Sequence, residues 1–438
     1  MATLSALVVC FFLLVPLQWV GLGSTPLGDA RLHQVATIGL GLLLLLRWPL
    51  RAYAPVLRTG AVFVLANLYM IAAIAGAQMY NDLGIAPPAQ QLLYLVICAA
   101  FAVLFYRIAS GQEAWGIPTL RFVGAAAGVS LVVGLGVAMT VNGINPATVM
   151  AQTIATADPA IFQKEVFKSA FAGFGLDEER VVGNLRHEMF GSVLLAMLVS
   201  TWAMRVGPEP TRAHILAHRT GLVIGVLVLT VSLSRSVLIA ALVWPLLALM
   251  RTAGRGELSA RQIALGMLSL AGLAGLVVSG LGAVIYNRFA TDTTGYKSRV
   301  GSYADAFATL PDVWVTGGYA TRNISSHNLV FDTLLRNGVF AALPAAVVAG
   351  VVVVAFVLLA AQVHRQPPWF VPVVGVLALP LIRMWTSGGG TVPPNEWVAL
   401  AFVLGVLSWW RRVGWTDPPD HPAGTSISLG RATRELTS

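Results

Sequence analysis

Charge is scarce in this chain: Asp, Glu, Lys and Arg make up 11% of the 438 residues, against 57% hydrophobic residues. A water-soluble globule carries roughly twice that charged fraction on its surface, so that class is excluded. Cysteine is scarce too. Cys10 and Cys98 both fall inside apolar runs, which leaves neither a disulfide framework nor a cysteine metal knuckle. The alternation of apolar and polar residues that builds a membrane β-barrel is missing. Also missing are a P-loop and the Asp-x-Asp clamp of metal-dependent nucleotide-sugar chemistry,. What recurs instead is continuous apolar runs of about 20 residues, which in a bilayer only helices satisfy. The net charge of +9 does not mark a nucleic-acid binder. Its arginines stand in ones and twos beside hydrophobic segments, where membrane topology and anionic lipid account for them.

The chain therefore reads as an all-α polytopic membrane protein. Apolar runs fall near 4–22, 34–49, 55–77, 90–108, 119–141, 190–205, 218–232, 236–251, 262–285, 339–362, 368–386 and 396–413, about twelve spans in all. With a cytoplasmic amino terminus, the inner connections receive Arg47, Arg51 and Arg58; Arg107 and Arg121; Arg205, Arg212 and Arg219; Arg251, Arg255 and Arg261; Arg365; then Arg411 and Arg412. The short outer connections carry only Arg31, as the positive-inside rule asks,. The first run lacks a basic flank and a small-residue cleavage site, so it reads as a retained helix. Residues 1–415 form the membrane domain, and 416–438, rich in Pro, Ser, Thr and Gly, a cytoplasmic disordered tail,. Two long outer segments, 142–189 and 286–338, are expected to be ordered: Pro159–Lys168 and Tyr303–Leu310 read as helical pieces with apolar faces,.

Candidate chemistry gathers at the outer helix ends. The stretch Ser234-Arg235-Ser236 joins two apolar runs with almost no connection. An arginine so placed faces protein, water or an anion, or snorkels to headgroups. The second outer segment brings Arg288, Arg299, Tyr303, Pro311, Gly317-Gly318 and Arg322, then Ser325-Ser326-His327-Asn328 before an apolar run. Serine and asparagine there suit an N-cap. His327 is a candidate general base, because imidazole titrates near neutrality, and the arginines are candidate ligands for phosphate oxygens. Arg186 and His187 enter the helix beginning near 190 and either add charge to an anion site or pair with Glu188. His214 and His218 have metal-compatible spacing but no neighbouring carboxylate or cysteine,. No metal site and no cofactor is expected.

The order Ser-Arg-Ser at a helix junction, Arg299 with Tyr303, Pro311, Gly317-Gly318, His327-Asn328 and Gly338 resembles the O-antigen ligase and O-antigen polymerase superfamily. Where that family has tryptophan after its loop arginine, this chain has Tyr303. The resemblance implies a glycosyltransferase C-type fold in the bacterial inner membrane, with two periplasmic loops and the active site facing the periplasm. It implies an undecaprenyl-diphosphate-linked O-antigen glycan as donor. Arg235 and Arg299 would then hold the diphosphate and His327 would activate the acceptor hydroxyl, with Arg186, His187, Arg288, Arg322, Asn328 and Tyr303 binding substrate. A ligase would use lipid A-core as acceptor, whereas a polymerase would extend another lipid-linked repeat. A polytopic lipid or glycan transporter is the reading from a different class, although no internal repeat supports it.

Overall fold

The computed structural model describes residues 2–25, 28–82, 84–170, 186–232, 234–257, 281–287, 294–318, 328–386 and 394–413. Apart from one short hairpin, β1 (Gly21–Thr25) and β2 (Gly28–Arg31), the described elements are helical. In chain order they are α1 (Ala2–Leu14), α2 (Leu32–Arg47), α3 (Ala54–Thr59), α4 (Ala61–Tyr80), α5 (Ala86–Ala109), α6 (Gly116–Leu120) and α7 (Val123–Val141). The segment after α7 holds α8 (Pro146–Thr156) and α9 (Pro159–Phe162), the latter continued by a π turn at Gln163–Ser169. After them come α10 (Arg186–Ala203), α11 (Arg212–Val231), α12 (Arg235–Gly254), α13 (Leu281–Tyr286) and α14 (Thr294–Val313). The last four are α15 (Leu329–Asn337), α16 (Val339–Gln362), α17 (Phe370–Thr386) and α18 (Pro394–Val413).

The helical, membrane-spanning class holds. Among the described residues six helices are long and apolar enough to cross a bilayer, or seven if the bent pair Leu32–Arg47 and Leu50–Thr59 is one span. The differences from the expected span list have local causes. The run 4–22 becomes a helix of only 13 residues, because Pro16 cannot donate to a helical ladder and the hairpin starts at Gly21,. The runs 34–49 and 55–77 meet at a 114° bend, where Pro49 precedes a single 3-10 turn and Gly60 separates α3 from α4. The run 262–285 lies largely outside the described residues, as does the tail from 414. Pro159–Lys168 and Tyr303–Leu310 are helical as expected.

α5 is the central helix. It is apolar all round, as a helix surrounded by other helices must be. Of its most apolar stretch 67% is buried, against 22% for α11 and for α12. Phe105 of α5 and Trp202 of α10 both meet Phe402 of α18 edge-on, with ring centroids 5.2 and 5.3 Å away. Small residues let the backbones close in. A Cβ at Gly405 would lie 2.4 Å from the Ala102 carbonyl oxygen of α5, and one at Gly221 of α11 would lie 2.7 Å from the Ala125 nitrogen of α7.

The two ends of the bundle differ in chemistry. At the arginine-rich end, guanidiniums satisfy helix-terminal carbonyls that no intrahelical donor reaches. Arg121, 1% exposed, donates to the carbonyls of Ala203, Val206 and Pro208 after α10. Arg251 and Arg255 donate to Gln366 and His364 beyond α16. Buried Glu113 accepts from Trp115 and pairs with Arg107 and Arg47. His214 and His218 also lie on this side, where His214 closes the cap of α11 with Thr211 and His218 bonds Ser200.

The close α5–α18 crossing yields a stability prediction. Gly405→Ala pushes a methyl into backbone and lowers unfolding stability in detergent by about 1–3 kcal/mol. Gly350→Ala, with nothing within 4 Å of the added carbon, leaves the unfolding midpoint unchanged or raised. A denaturant titration of both variants checks the contrast.

Candidate functional site

At the end of the bundle opposite the arginine cluster, three helices share one buried guanidinium. Arg383, in the last turn of α17, is 7% exposed and Glu396, in the first turn of α18, is 5% exposed. Nε of Arg383 lies 3.5 Å from Oε1 of Glu396, and its Nη2 lies 3.6 Å from Oε1 of Glu188 on α10. Arg383 is thus flanked by two acidic side chains, one from each of two neighbouring helices.

The residue before Glu188 ties this cluster to the Ser-Arg-Ser stretch. Nδ1 of His187 lies 2.5 Å from Oγ of Ser234 and 2.7 Å from Oγ of Ser236. Both serines are buried. The imidazole therefore clasps the entry of α12 from both sides of Arg235, which is half-buried at the first helical residue. A helix start carries exposed N–H groups and a positive dipole end. With Arg235 added, this entry is suited to an anion. His187, Gly191, Ser236, Leu379, Arg383 and Glu396 bound a small cavity, which joins the α12 entry to the ionic cluster.

A second group of elements carries the other expected residues. α14 bears Arg299 one helical turn before Tyr303,. Tyr303 stacks on Phe331 of α15, with centroids 6.0 Å apart and planes at 24°, and Phe307 meets the same ring at 5.1 Å. Oδ1 of Asn328 accepts from the backbone N–H groups of Val330 and Phe331, capping α15. That oxygen is thus committed to the helix start, and the asparagine's evident task is to begin the helix directly after His327. α14 is brought back onto α15 by two glycines that interlock. Gly317 and Gly338 have φ of 71° and 75°. A Cβ on Gly317 would lie 2.2 Å from the Arg336 oxygen, and one on Gly338 would lie 2.0 Å from the Val315 oxygen. The crossing is held by Val339 N–H to Trp314 O at 2.8 Å and Gly318 N–H to Leu335 O at 3.2 Å. Asn81 and Gln78, at the end of α4, donate to Thr316 O and Asn337 Oδ1.

The structure thus brings His187 to Arg235 and joins the Arg299–Tyr303 helix to the helix that follows His327. His327, Arg288 and Arg322 lie outside the described residues, as do the side chains of Arg186 and Arg299. Sequence reasoning passed over Glu188 as a functional group, and Arg383 and Glu396 altogether. The available signal was charge inside an apolar run: Arg383 interrupts 368–386 and Glu396 opens 396–413, and charge at such positions marks a site by default. Among the described residues no group of three or more His, Cys, Asp or Glu side chains is placed to hold a metal ion. No protein-family model matches the chain, and no curated protein matches it significantly.

Two variants test how the site is built. Arg383→Met removes the guanidinium that Glu188 and Glu396 share and destabilises the protein by about 3–5 kcal/mol,, while E188Q/E396Q added to R383M recovers most of that loss in a detergent unfolding titration. Gly338→Ala places a methyl inside a backbone contact at a φ that only glycine adopts readily. It lowers the melting temperature, and limited proteolysis of the α14–α15 region becomes faster than in wild type.

Proposed function

We propose that this chain is a membrane glycosyltransferase that moves a glycan from a polyprenyl diphosphate to a sugar hydroxyl, and specifically an O-antigen ligase with lipid A-core as acceptor at the periplasmic face. The observation that carries the reading is the α12 entry: a helix amino terminus bearing Arg235, clasped by His187 through the two flanking serines, at the end of the bundle away from the arginine cluster. Such an entry meets the demand of a diphosphate leaving group, on which negative charge grows as the glycosidic bond breaks.

In this reading Arg235 and Arg299 hold the diphosphate, each guanidinium contacting two oxygens. The acceptor hydroxyl attacks the anomeric carbon, and its proton passes to the imidazole of His327. The new bond from carbon to acceptor oxygen forms as the bond to the diphosphate oxygen breaks. One displacement inverts the anomeric configuration and releases undecaprenyl diphosphate. Arg383, Glu188 and Glu396 position the α10 and α12 entries and do not touch the phosphates. Tyr303 holds α14, which bears Arg299, against α15, the helix that follows His327 in the sequence. The bond to diphosphate already stores the free energy of transfer, so the chemistry calls for no nucleotide.

The test is reconstitution of the purified protein with undecaprenyl-diphosphate-linked glycan, with and without lipid A-core, and separation of the products. Glycan on lipid A-core is the expected result. Longer glycan on the carrier, independent of lipid A-core, would make the chain a polymerase, and carrier movement without transfer would make it a transporter. In the same assay His327→Ala lowers turnover by about 10²–10⁴-fold while the protein stays folded. Arg299→Lys also loses turnover, because an ammonium keeps the charge but not the two-pronged contact.

A further inference from the structure

The arginine-rich end holds a cavity of about 550 Å³ that the proposed transfer reaction does not use, lined by Arg51, Arg58, Thr59, Ser408, Arg411 and Arg412 among others. The sequence places these arginines on two separate inner connections. The fold brings them together because the 114° bend after α2 turns α3 back against the last turns of α18. No carboxylate is among the described lining residues. Arg412 donates to the Tyr106 hydroxyl at 2.6 Å, whereas the guanidiniums of Arg51, Arg58 and Arg411 make no hydrogen bond or ion pair with a described residue. This separates them from Arg121, Arg251 and Arg255, whose guanidiniums serve backbone carbonyls, and from Arg47 and Arg107, which pair with Glu113. The hydroxyls of Thr59 and Ser408 donate to their own helices, so the arginines are the donors facing the cavity. Four exposed cations gathered around one opening raise the local positive potential, which an anion offsets,.

On the same α2–α3 bend that carries Arg51, Leu46 and Leu50 are 84% and 87% exposed. A free anion has no use for that surface, whereas acyl chains do. We propose that this cavity binds the headgroup of a phosphate-bearing anionic lipid, its phosphates held by Arg51, Arg58, Arg411 and Arg412 and its chains lying along the exposed leucines of the α2–α3 bend. A headgroup with two phosphates fits four guanidiniums better than one with a single phosphate, since each phosphate then meets a pair. Such a lipid would pin the bent α2–α3 segment to α18, which contacts α5 along its length, and so stabilise the fold from the side opposite the proposed active site.

The experiment titrates delipidated, purified full-length protein with cardiolipin, with phosphatidylcholine and with inorganic phosphate, reading bound lipid by native mass spectrometry and the unfolding temperature in parallel. Cardiolipin is expected to be retained and to raise the unfolding temperature, and phosphatidylcholine is not. Arg58→Gln with Arg411→Gln, neither of which holds a described partner, weakens cardiolipin binding by about five-fold per arginine. The double Arg→Lys variant keeps more of the binding, and circular dichroism shows both variants folded. Unchanged cardiolipin affinity in the folded R58Q/R411Q protein overturns the site. Inorganic phosphate raising the unfolding temperature as much as cardiolipin overturns the lipid assignment.

Discussion

The end of the bundle that carries the candidate chemistry depends on one buried guanidinium. Arg383 sits between Glu188 and Glu396 and so ties α10, α17 and α18 together. Desolvating three charges costs several kcal/mol per ion, and the attraction offsets that cost only where the partners are held in place. The cluster therefore fixes geometry more than it adds stability. Glu188 set by Arg383 sets His187, and His187 sets the two serines around Arg235. The position of the half-buried arginine at the α12 entry is thus inherited from an ion pair on other helices.

The second constraint is steric. Gly317 and Gly338 let two stretches of backbone cross at distances no side chain would permit. The crossing turns α14 back so that Tyr303 reaches Phe331. Both constraints act at helix ends, where the chain leaves regular hydrogen bonding and side chains decide the path. The opposite end is organised by different means: arginines bind terminal carbonyls and one buried glutamate, while four others surround a cavity.

How much was legible in the sequence follows from what each signal measures. The run 339–362 coincides with α16, because nothing polar interrupts it and Gly338 stops the preceding helix. The run 4–22 is a shorter helix than its hydropathy implies, because averaged hydropathy is blind to Pro16 and to a hairpin of small residues. The bend after α2, at Pro49, escapes averaged hydropathy for the same reason. The Ser-Arg-Ser stretch was recognised as unusual, but its link to His187 spans 47 residues and is set by helix packing alone. Arg383 was hidden by its apolar neighbours. The glycine pair was visible as a motif, whereas its purpose, a contact between segments 21 residues apart by position, exists only in the folded chain.

Together these features describe a bundle with Arg235 at a helix entry beside a buried ionic cluster at one end, and an arginine-lined cavity at the other. The proposed transfer reaction requires that the donor diphosphate sit at the α12 entry and not among the arginines of the other end. The measurement that tests this most directly is a cryo-EM map of the protein with a bound undecaprenyl-diphosphate oligosaccharide. The expected result is diphosphate density within hydrogen-bond reach of Arg235 and Arg299, with the first sugar facing His327. Diphosphate density at the arginine-rich end, or a carrier lipid bound with its diphosphate away from Arg235, would contradict the proposed site.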